Sequence, residues 1–226
     1  MNKNYLKIFV ILILLNATTL FFARMPVIYT IIIDSSASVS EPDFSKANEA
    51  VALFLELLYQ KSQALPGSQA DWVSIAWFGG NNEYYQSPYY NCSENSSIKT
   101  LQYLALYATH PKLDHTAIYS AIGYSLYNMV KMDGDLPGDY LKITVMITDG
   151  EDNNSPDDHK ALIKQLYPNI YNYLFVVGVG NNAKISEFAS LTSDNNIYNI
   201  DNFDQLGAIL AIIGEFIEKN LFNRLN

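Results

Sequence analysis

The chain has 226 residues, of which 49% are hydrophobic and 16% are charged. This length suits one α/β domain with little left for a second, and the composition excludes a largely disordered chain. A formal net charge of −9 disfavours binding to phosphate backbones or to anionic lipid through a basic patch, so we expect no nucleic-acid partner.

Cysteine and histidine are too sparse for a thiol- or imidazole-based centre. The chain has one cysteine, Cys92, so no intrachain disulfide can form. The three histidines, His110, His115 and His159, are scattered along the sequence. We therefore expect no zinc site of the Cys/His type.

Residues 1–23 have the pattern of an export segment. Lys3 and Lys7 give a positive start, and Ile8 to Leu15 is an unbroken apolar run with the length of a signal-peptide core. The sequence predicts a signal peptide or an N-terminal membrane anchor over residues 1–23, followed by one domain over residues 24–226. We accordingly expect a secreted (extracytoplasmic) or membrane-tethered protein.

The rest of the chain alternates between strand patterns and helix patterns. Apolar runs rich in β-branched residues predict strands, and apolar residues at helical spacing predict helices. The predicted strands are 27–33, 72–78, 84–90, 141–147, 173–179 and 197–200. The predicted helices are 43–63, 98–107, 116–132, 157–166, 184–191 and 203–221.

This alternation predicts a doubly wound α/β fold. We expect a mostly parallel six-stranded sheet with helices on both faces, and one antiparallel edge strand that follows a hairpin turn at Gly79 to Asn82. Ligands of such sheets bind outside the carboxyl ends of the strands. That edge of the sheet is where we expect a functional site.

Polar residues stand at three points that this topology brings to the carboxyl edge. Asp34, Ser36 and Ser38 form the pattern D-x-S-x-S after the first strand. Asp149 follows a later buried strand in T-D-G, and Thr116 opens a helix between them. Each alone is an ordinary turn or cap residue, but together they offer two carboxylates and three hydroxyls. These hard oxygen ligands suit Mg²⁺, and we predict that all five form a metal site.

The same segments resemble the von Willebrand factor type A (vWA) domain with its metal-ion-dependent adhesion site (MIDAS). The resemblance runs from about Val27 to the C-terminus. The matching segments are I-I-I-D-S-S-A-S at 31–38, T-A-I-Y-S-A-I at 116–122, V-M-I-T-D-G-E-D-N at 145–153 and V-V-G-V-G at 176–180.

The resemblance implies a role for each residue of the predicted site. Ser36 and Ser38 would ligate the cation directly, and Thr116 directly or through water. Asp34 and Asp149 would act mostly through bound water. The expected cation is Mg²⁺, with Mn²⁺ or Ca²⁺ as alternatives, and a protein partner would complete it with an Asp or Glu carboxylate. The implied function is cation-dependent protein binding or adhesion, without catalysis.

The chain departs from the family just before the threonine. Many family members have glycines there, where this chain has Asp114 and His115. These two residues bear on the geometry of Thr116, because they belong to the loop that delivers it. Thr116 is therefore the predicted ligand whose position depends most on how this loop folds.

Two other functions fit parts of the sequence. Gly178 and Gly180 match the dinucleotide fingerprint G-x-G-x-x-G/A, but only one short strand follows them, whereas a Rossmann half has more sheet beyond. Asp34 after the first strand suggests a Mg²⁺-dependent hydrolase or phosphatase, but the second Asp of that pattern is Ser36 here. No G-x-S-x-G elbow or P-loop occurs, and we predict no enzymatic activity.

Overall fold

The structure is a computed structural model that describes residues 25–63, 70–167, 172–181, 183–192 and 196–223. The predicted signal peptide or anchor at residues 1–23 lies outside the described residues. Within the part of the chain that is described, no helix is both long enough and apolar enough to cross a membrane.

Strands and helices alternate along the described chain. Strands β1 to β7 are Val27–Asp34, Trp72–Phe78, Tyr84–Gln86, Tyr90–Asn91, Leu141–Thr148, Asn172–Val179 and Ile197–Ile200. Helices α1 to α5 are Glu41–Ser62, Asn95–Leu106, Ile118–Asp135, Asp157–Leu166 and Leu206–Asn223. Two 3₁₀ turns, Ile185–Ser190 and Phe203–Gln205, precede β7 and α5, and the first replaces the predicted helix 184–191.

The sheet has the strand order β3-β2-β1-β5-β6-β7, with β4 also paired to β2. Strand β1 lies in the middle and pairs in parallel with β2 and β5. Asp34 is opposite Phe78 of β2, and Ile33 is opposite Ile147 of β5. The ends of these three strands therefore meet at one edge. This arrangement confirms the predicted doubly wound, mostly parallel fold.

The antiparallel edge differs from the prediction of a single strand over 84–90. The structure has two short strands there, β3 and β4, and both pair antiparallel to β2. Pro88 interrupts them because it has no N–H to give to the ladder. Just before it, the Ser87 hydroxyl accepts a hydrogen bond from the N–H of Ile75 at 3.1 Å. The described sheet therefore has seven strands rather than six.

Strand β1 separates two hydrophobic layers. All eight of its residues are buried, as its continuous apolar run predicts. Tyr29, Ile31 and Ile33 pack in a cluster with α1, α2 and α5. Ile28 and Ile32 face the opposite way and pack with α3 and α4. The period of two along the strand thus places helices on both faces of the sheet.

Helix α3 extends beyond its predicted end at residue 132. The sequence predicts a loop from Asp133 to Gly138, yet the helix continues to Asp135. The Asp133 carboxylate lies 2.6 Å from the ammonium group of Lys142, which is buried at the start of β5. Since a buried lysine needs a partner, this tertiary contact outweighs the weak helix propensity of Asp-Gly-Asp.

Both glycines of the dinucleotide-like pattern have a structural reason. A Cβ at Gly178 would lie 2.8 Å from two side-chain carbons of Ile185, so only glycine fits where the 3₁₀ turn crosses β6. Gly180 has a φ of +78°, in the left-handed region that favours glycine. Packing and backbone geometry therefore account for the pattern without a dinucleotide.

We predict that Gly178→Ala lowers the free energy of unfolding by about 1–3 kcal/mol, because the added methyl group overpacks the contact with Ile185. Gly207→Ala is the matched control. Its Cβ would meet nothing within 4 Å, and alanine in helix α5 should raise the free energy of unfolding by up to about 1 kcal/mol. Urea unfolding of both variants measures the two effects. Equal effects would contradict the packing explanation.

Candidate metal centre

Asp34 is buried at the end of β1 with only 2% of its surface exposed. One carboxylate oxygen accepts a hydrogen bond from the N–H of Ser36 at 2.9 Å. The other accepts from the Thr148 hydroxyl at 2.6 Å. Burial raises the pKa of Asp34 to about 6, against these hydrogen bonds, and the nearby charge of Asp149 adds to the rise. The carboxylate joins the ends of β1 and β5.

The two serines continue from Asp34 toward Asp149. The hydroxyl oxygens of Ser36 and Ser38 lie 2.9 Å apart. Ser38 also donates a hydrogen bond to a carboxylate oxygen of Asp149 at 2.9 Å. Burial raises the pKa of Asp149 as well. Four of the five predicted ligands thus form one connected chain of hydrogen bonds, with Ser36 buried and Ser38 exposed to solvent.

Thr116 lies beside this chain. Helix α3 begins at Ile118, so Thr116 precedes the helix rather than opening it as predicted. A Cβ placed on Gly150 would lie 3.6 Å from the Thr116 hydroxyl oxygen, which puts that hydroxyl next to the turn after Asp149. The N–H of Thr116 donates to the Asn153 side chain at 3.0 Å, and the N–H of Asn153 donates to the Thr116 carbonyl at 2.9 Å.

A short β-bridge joins the D-x-S-x-S loop to the loop that delivers Thr116. Leu113 pairs in parallel with Ser36. The N–H of Ala37 donates to the Leu113 carbonyl at 2.7 Å, and the N–H of Leu113 donates to the Ser35 carbonyl at 3.1 Å. The two loops are therefore positioned by backbone hydrogen bonds, which do not depend on the side chains of the second loop.

These contacts explain the departure from the family pattern. The side chains of Asp114 and His115 are exposed. The left-handed backbone conformation falls instead on Lys112, with a φ of 52°. A left-handed lysine carries a modest strain of about 1 kcal/mol, which the neighbouring bridge at Leu113 offsets. The loop thus reaches Thr116 without glycines at 114 and 115.

Three further residues position the site, and the sequence analysis missed them. Besides Asn153, Asp152 accepts a hydrogen bond from the N–H of Tyr119 at 3.4 Å, and the Ser155 hydroxyl accepts from the N–H of Ser120 at 3.1 Å. Asp152 and Ser155 thus satisfy the N–H groups of the second and third residues of α3, and Asn153 satisfies that of Thr116 just before the helix. The signal in the sequence is weak: the N-cap residue is an alanine, so these N–H groups need partners from elsewhere in the chain.

The donor set fits a hard divalent cation. Two carboxylates balance its charge, and the three hydroxyls are neutral oxygen ligands of the kind that Mg²⁺, Mn²⁺ and Ca²⁺ accept. Among the described residues, no three His, Cys, Asp or Glu side chains are grouped so that they could hold a metal. Any cation here therefore depends on the hydroxyl groups.

Comparison with known proteins identifies the fold family. The model of the von Willebrand factor type A domain matches residues 30–211. The chain belongs to the vWA family. A search of curated protein sequences gives no match to this vWA chain.

Several solved structures resemble this vWA domain at low sequence identity. The von Willebrand factor type A protein from Catenulispora acidiphila has a TM-score of 0.66 and 15% identity, covering 84% of this chain and 42% of that one. Proximal thread matrix protein 1 from the mussel byssus, with a zinc-occupied MIDAS motif, has a TM-score of 0.64 and 14% identity, covering 84% of this chain and 48% of that one. The pilus adhesin SpaC from Lactobacillus rhamnosus GG has a TM-score of 0.64 and 13% identity, covering 87% of this chain and 31% of that one. These likenesses show the fold, and this chain spans less than half of each of these proteins.

We predict that the metal-free vWA domain becomes more stable as the pH falls from about 6 toward 4, because Asp34 binds its proton at about pH 6 when folded and near its ordinary pKa of 3.8 when unfolded. The folded state then holds more protons than the unfolded state in this window, and the contribution is lost as the pH rises through 6. Urea unfolding in EDTA at several pH values measures this pH dependence of the free energy of unfolding. Asp34→Asn should flatten this part of the profile, and identical profiles for the two proteins would contradict the assignment.

Proposed function

We propose that this vWA domain holds a divalent cation, Mg²⁺ in the first place, and binds a carboxylate of a protein partner through it. Ser36, Ser38 and Thr116 would supply the hydroxyl ligands. Asp34 and Asp149 would hold bound water and balance the charge. The observation that carries the proposal is the continuous hydrogen-bonded chain from Asp34 to Asp149 at the carboxyl edge of the sheet.

The hydroxyl groups support cation binding by the way they are paired. Ser36 and Ser38 hydrogen-bond to each other, and Ser38 bonds to Asp149, so their oxygens already converge. A hard cation takes the same oxygen lone pairs without a rearrangement of the backbone. Direct hydroxyl ligands also leave the ion strongly attractive to an incoming anion, because they bring no charge of their own.

The exposure of the site supports an external ligand. Asp34, Ser36 and Thr116 are buried, whereas Ser38 is exposed and Asp149 is partly exposed. Ser38 and Asp149 are therefore the members of the site that an outside ligand can reach. Since the whole chain carries a net charge of −9, an acidic partner is repelled unless a cation lies between them. Binding of such a partner should depend strictly on the metal.

We further propose that the domain acts outside the cytoplasm, secreted or tethered to a membrane through residues 1–23. The support is the export pattern of that segment. Two of the similar structures, a pilus adhesin and a byssus thread matrix protein, agree with an adhesive or interaction role. The chemistry of the site specifies the class of partner: a protein with an accessible Asp or Glu side chain.

Catalysis by Asp34 is disfavoured by its surroundings. A phosphoryl-transfer nucleophile needs a free carboxylate oxygen with access to substrate. Both oxygens of Asp34 accept hydrogen bonds, from Ser36 and Thr148, and the side chain is buried. We therefore propose a binding function without turnover, and a Mg²⁺-dependent phosphatase assay should show no activity above background.

We predict that Mg²⁺ raises the thermal unfolding temperature of the chain. At a Mg²⁺ concentration 1,000 times the dissociation constant, the free energy of unfolding should rise by about 4 kcal/mol. Asp149→Ala should abolish the rise. Asn153→Ala should weaken Mg²⁺ affinity about 10- to 100-fold, because it removes the side-chain oxygen that accepts the hydrogen bond from the N–H of Thr116 and leaves only the backbone bond between the two residues.

The matched control for this experiment is Asn154→Ala. Asn154 lies in the same loop but bonds to the N–H of Asn81 instead of to Thr116. Its removal should leave the response to Mg²⁺ unchanged. An unfolding temperature of the wild-type chain that does not respond to Mg²⁺, Mn²⁺ or Ca²⁺ would disprove the metal site.

A second prediction tests the partner. A pull-down with the full chain should recover a protein partner in Mg²⁺ and lose it in EDTA or with Ser38→Ala, because the carboxylate then has no cation to bind. Substitution of the partner's acidic residue by its amide should have the same effect. Binding that survives EDTA would contradict the cation-mediated contact even if the chain binds metal.

A further inference from the structure

Strand β3 forms one edge of the described sheet and pairs there with β2. The N–H of Ser87, just after β3, donates to the carbonyl of Ile75 in β2 at 2.9 Å. Since bonding alternates along an antiparallel strand, Tyr85 also faces β2, and Tyr84 and Gln86 turn their N–H and C=O groups away from the sheet. Within the described part of the chain, no residue bonds to these four groups. The edge is therefore a template for one more strand.

A groove lies beside this edge on each face of the sheet. The groove on the α2 side has a volume of about 400 Å³, and its aromatic lining consists of Trp77, Tyr85, Tyr103 and Tyr107. The three tyrosines are between 58% and 71% exposed. The groove on the α3 side has a volume of about 430 Å³, and its polar lining includes Gln86, Asn128 and Lys131. Successive side chains of a strand point to opposite faces, so an added strand would place alternate side chains in the two grooves.

Strand β3 is level with the candidate metal centre. Tyr84 is opposite Phe78 of β2, and Phe78 is opposite Asp34 of β1. The turn between β2 and β3 is bonded to the loop that delivers Thr116, because the Gly79 carbonyl accepts a hydrogen bond from the N–H of the next residue at 2.7 Å. A strand added to β3 would lie three strand spacings, or about 14 Å, from β1. About five extended residues span that distance.

We propose that the outer edge of β3 takes up an extended segment of the protein partner as an additional strand, antiparallel to β3. Two residues of the segment then bond to all four free groups of Tyr84 and Gln86. The residue between them lies opposite Tyr85 and places its side chain on the aromatic groove, so we expect an aromatic or aliphatic residue there. Pro88 ends the edge, which limits the added strand to about three residues.

The direction of the added strand connects this edge to the proposed function. Strand β2 runs toward the carboxyl edge and β3 runs away from it, so a segment antiparallel to β3 runs toward the metal centre. Its C-terminal continuation can therefore bring an Asp or Glu carboxylate to the cation. This step rests on the proposed cation site, whereas strand addition itself needs no metal. The partner class is a protein with an extended segment that precedes its acidic residue by about five residues.

Selection from a phage-displayed library of random linear peptides tests strand addition on the full chain. Selection in EDTA should enrich peptides that bind without a cation. Gln86→Pro should lower their affinity about 10-fold or more, because proline removes an outward N–H. Gln86→Ala is the matched control, since it also loses the side-chain bonds from Tyr84 and Asn128 but keeps its N–H, and the affinity should stay within about 2-fold. Thermal unfolding checks that both variants are folded.

Methylation of the peptide gives a test that leaves the protein unchanged. N-methylation of each residue of an enriched peptide in turn should lower the affinity about 5-fold or more at alternate residues, whose N–H groups face β3, and within about 2-fold at the residues between them. Effects without this alternation, equal binding to Gln86→Pro and Gln86→Ala, or no enriched peptide would overturn strand addition. Dimerisation of the chain through this edge would assign it to a second copy and would also overturn the proposal.

A longer peptide separates this inference from the proposed function. A Gly/Ser spacer of about five residues and an Asp are added to the C-terminus of the enriched peptide. In Mg²⁺ this Asp should raise the affinity about 10-fold over the same peptide with Asn, and in EDTA it should give no gain. No gain in Mg²⁺ would overturn the connection to the metal centre. A gain that is insensitive to Gln86→Pro would support the cation contact and overturn strand addition.

Discussion

The buried carboxylate of Asp34 is the interaction on which the rest of the site depends. An ionised carboxylate at this depth is costly unless it is hydrogen-bonded, and its two oxygens are satisfied by Ser36 on its own loop and by Thr148 on the neighbouring strand. These bonds form only in the observed register of β1 and β5. A slip of one residue would turn Asp34 to the other face of the sheet and separate the two loops.

The loops beyond Asp34 are fixed to one another mainly by backbone bonds. The bridge between Leu113 and Ser36 ties the second loop to the first, and the reciprocal bonds of Asn153 and Thr116 tie it to the third. Each loop is thus held by the other two. This mutual support explains how the chain tolerates Asp114 in a position where glycine is usual in the family. It also means that damage to one loop should spread to the others.

Much of this arrangement follows from local sequence. The buried strands were predictable to within one residue because they are continuous apolar runs that end in polar residues or glycine, and the positions of Asp34, Ser36 and Asp149 follow directly from those ends. The placement of Asn153 was not predictable, because its bonds to Thr116 join residues 37 positions apart. No periodicity in a single sequence carries information on such a contact.

The same limit explains the errors in element boundaries. The end of α3 depends on the ion pair between Asp133 and Lys142, and local propensity gives no sign of it. The split of the edge strand depends on Pro88, whose effect was underestimated against the β-forming tyrosines around it. The fold and the meeting of the predicted ligands at one edge of the sheet were therefore accessible from pattern and topology, whereas the residues that position them required the structure.

The shared direction of α3 and α4 bears on the electrostatics of the carboxyl edge. Helix α3 begins at Ile118 and α4 at Asp157, each just after a loop at this edge, and α1 begins at Glu41 directly after the loop that follows β1. The positive ends of three helix dipoles are therefore directed toward the carboxylates of Asp34 and Asp149. These dipoles favour negative charge at the edge, so a cation held there works against them, whereas an anion that approaches the same edge is attracted by them.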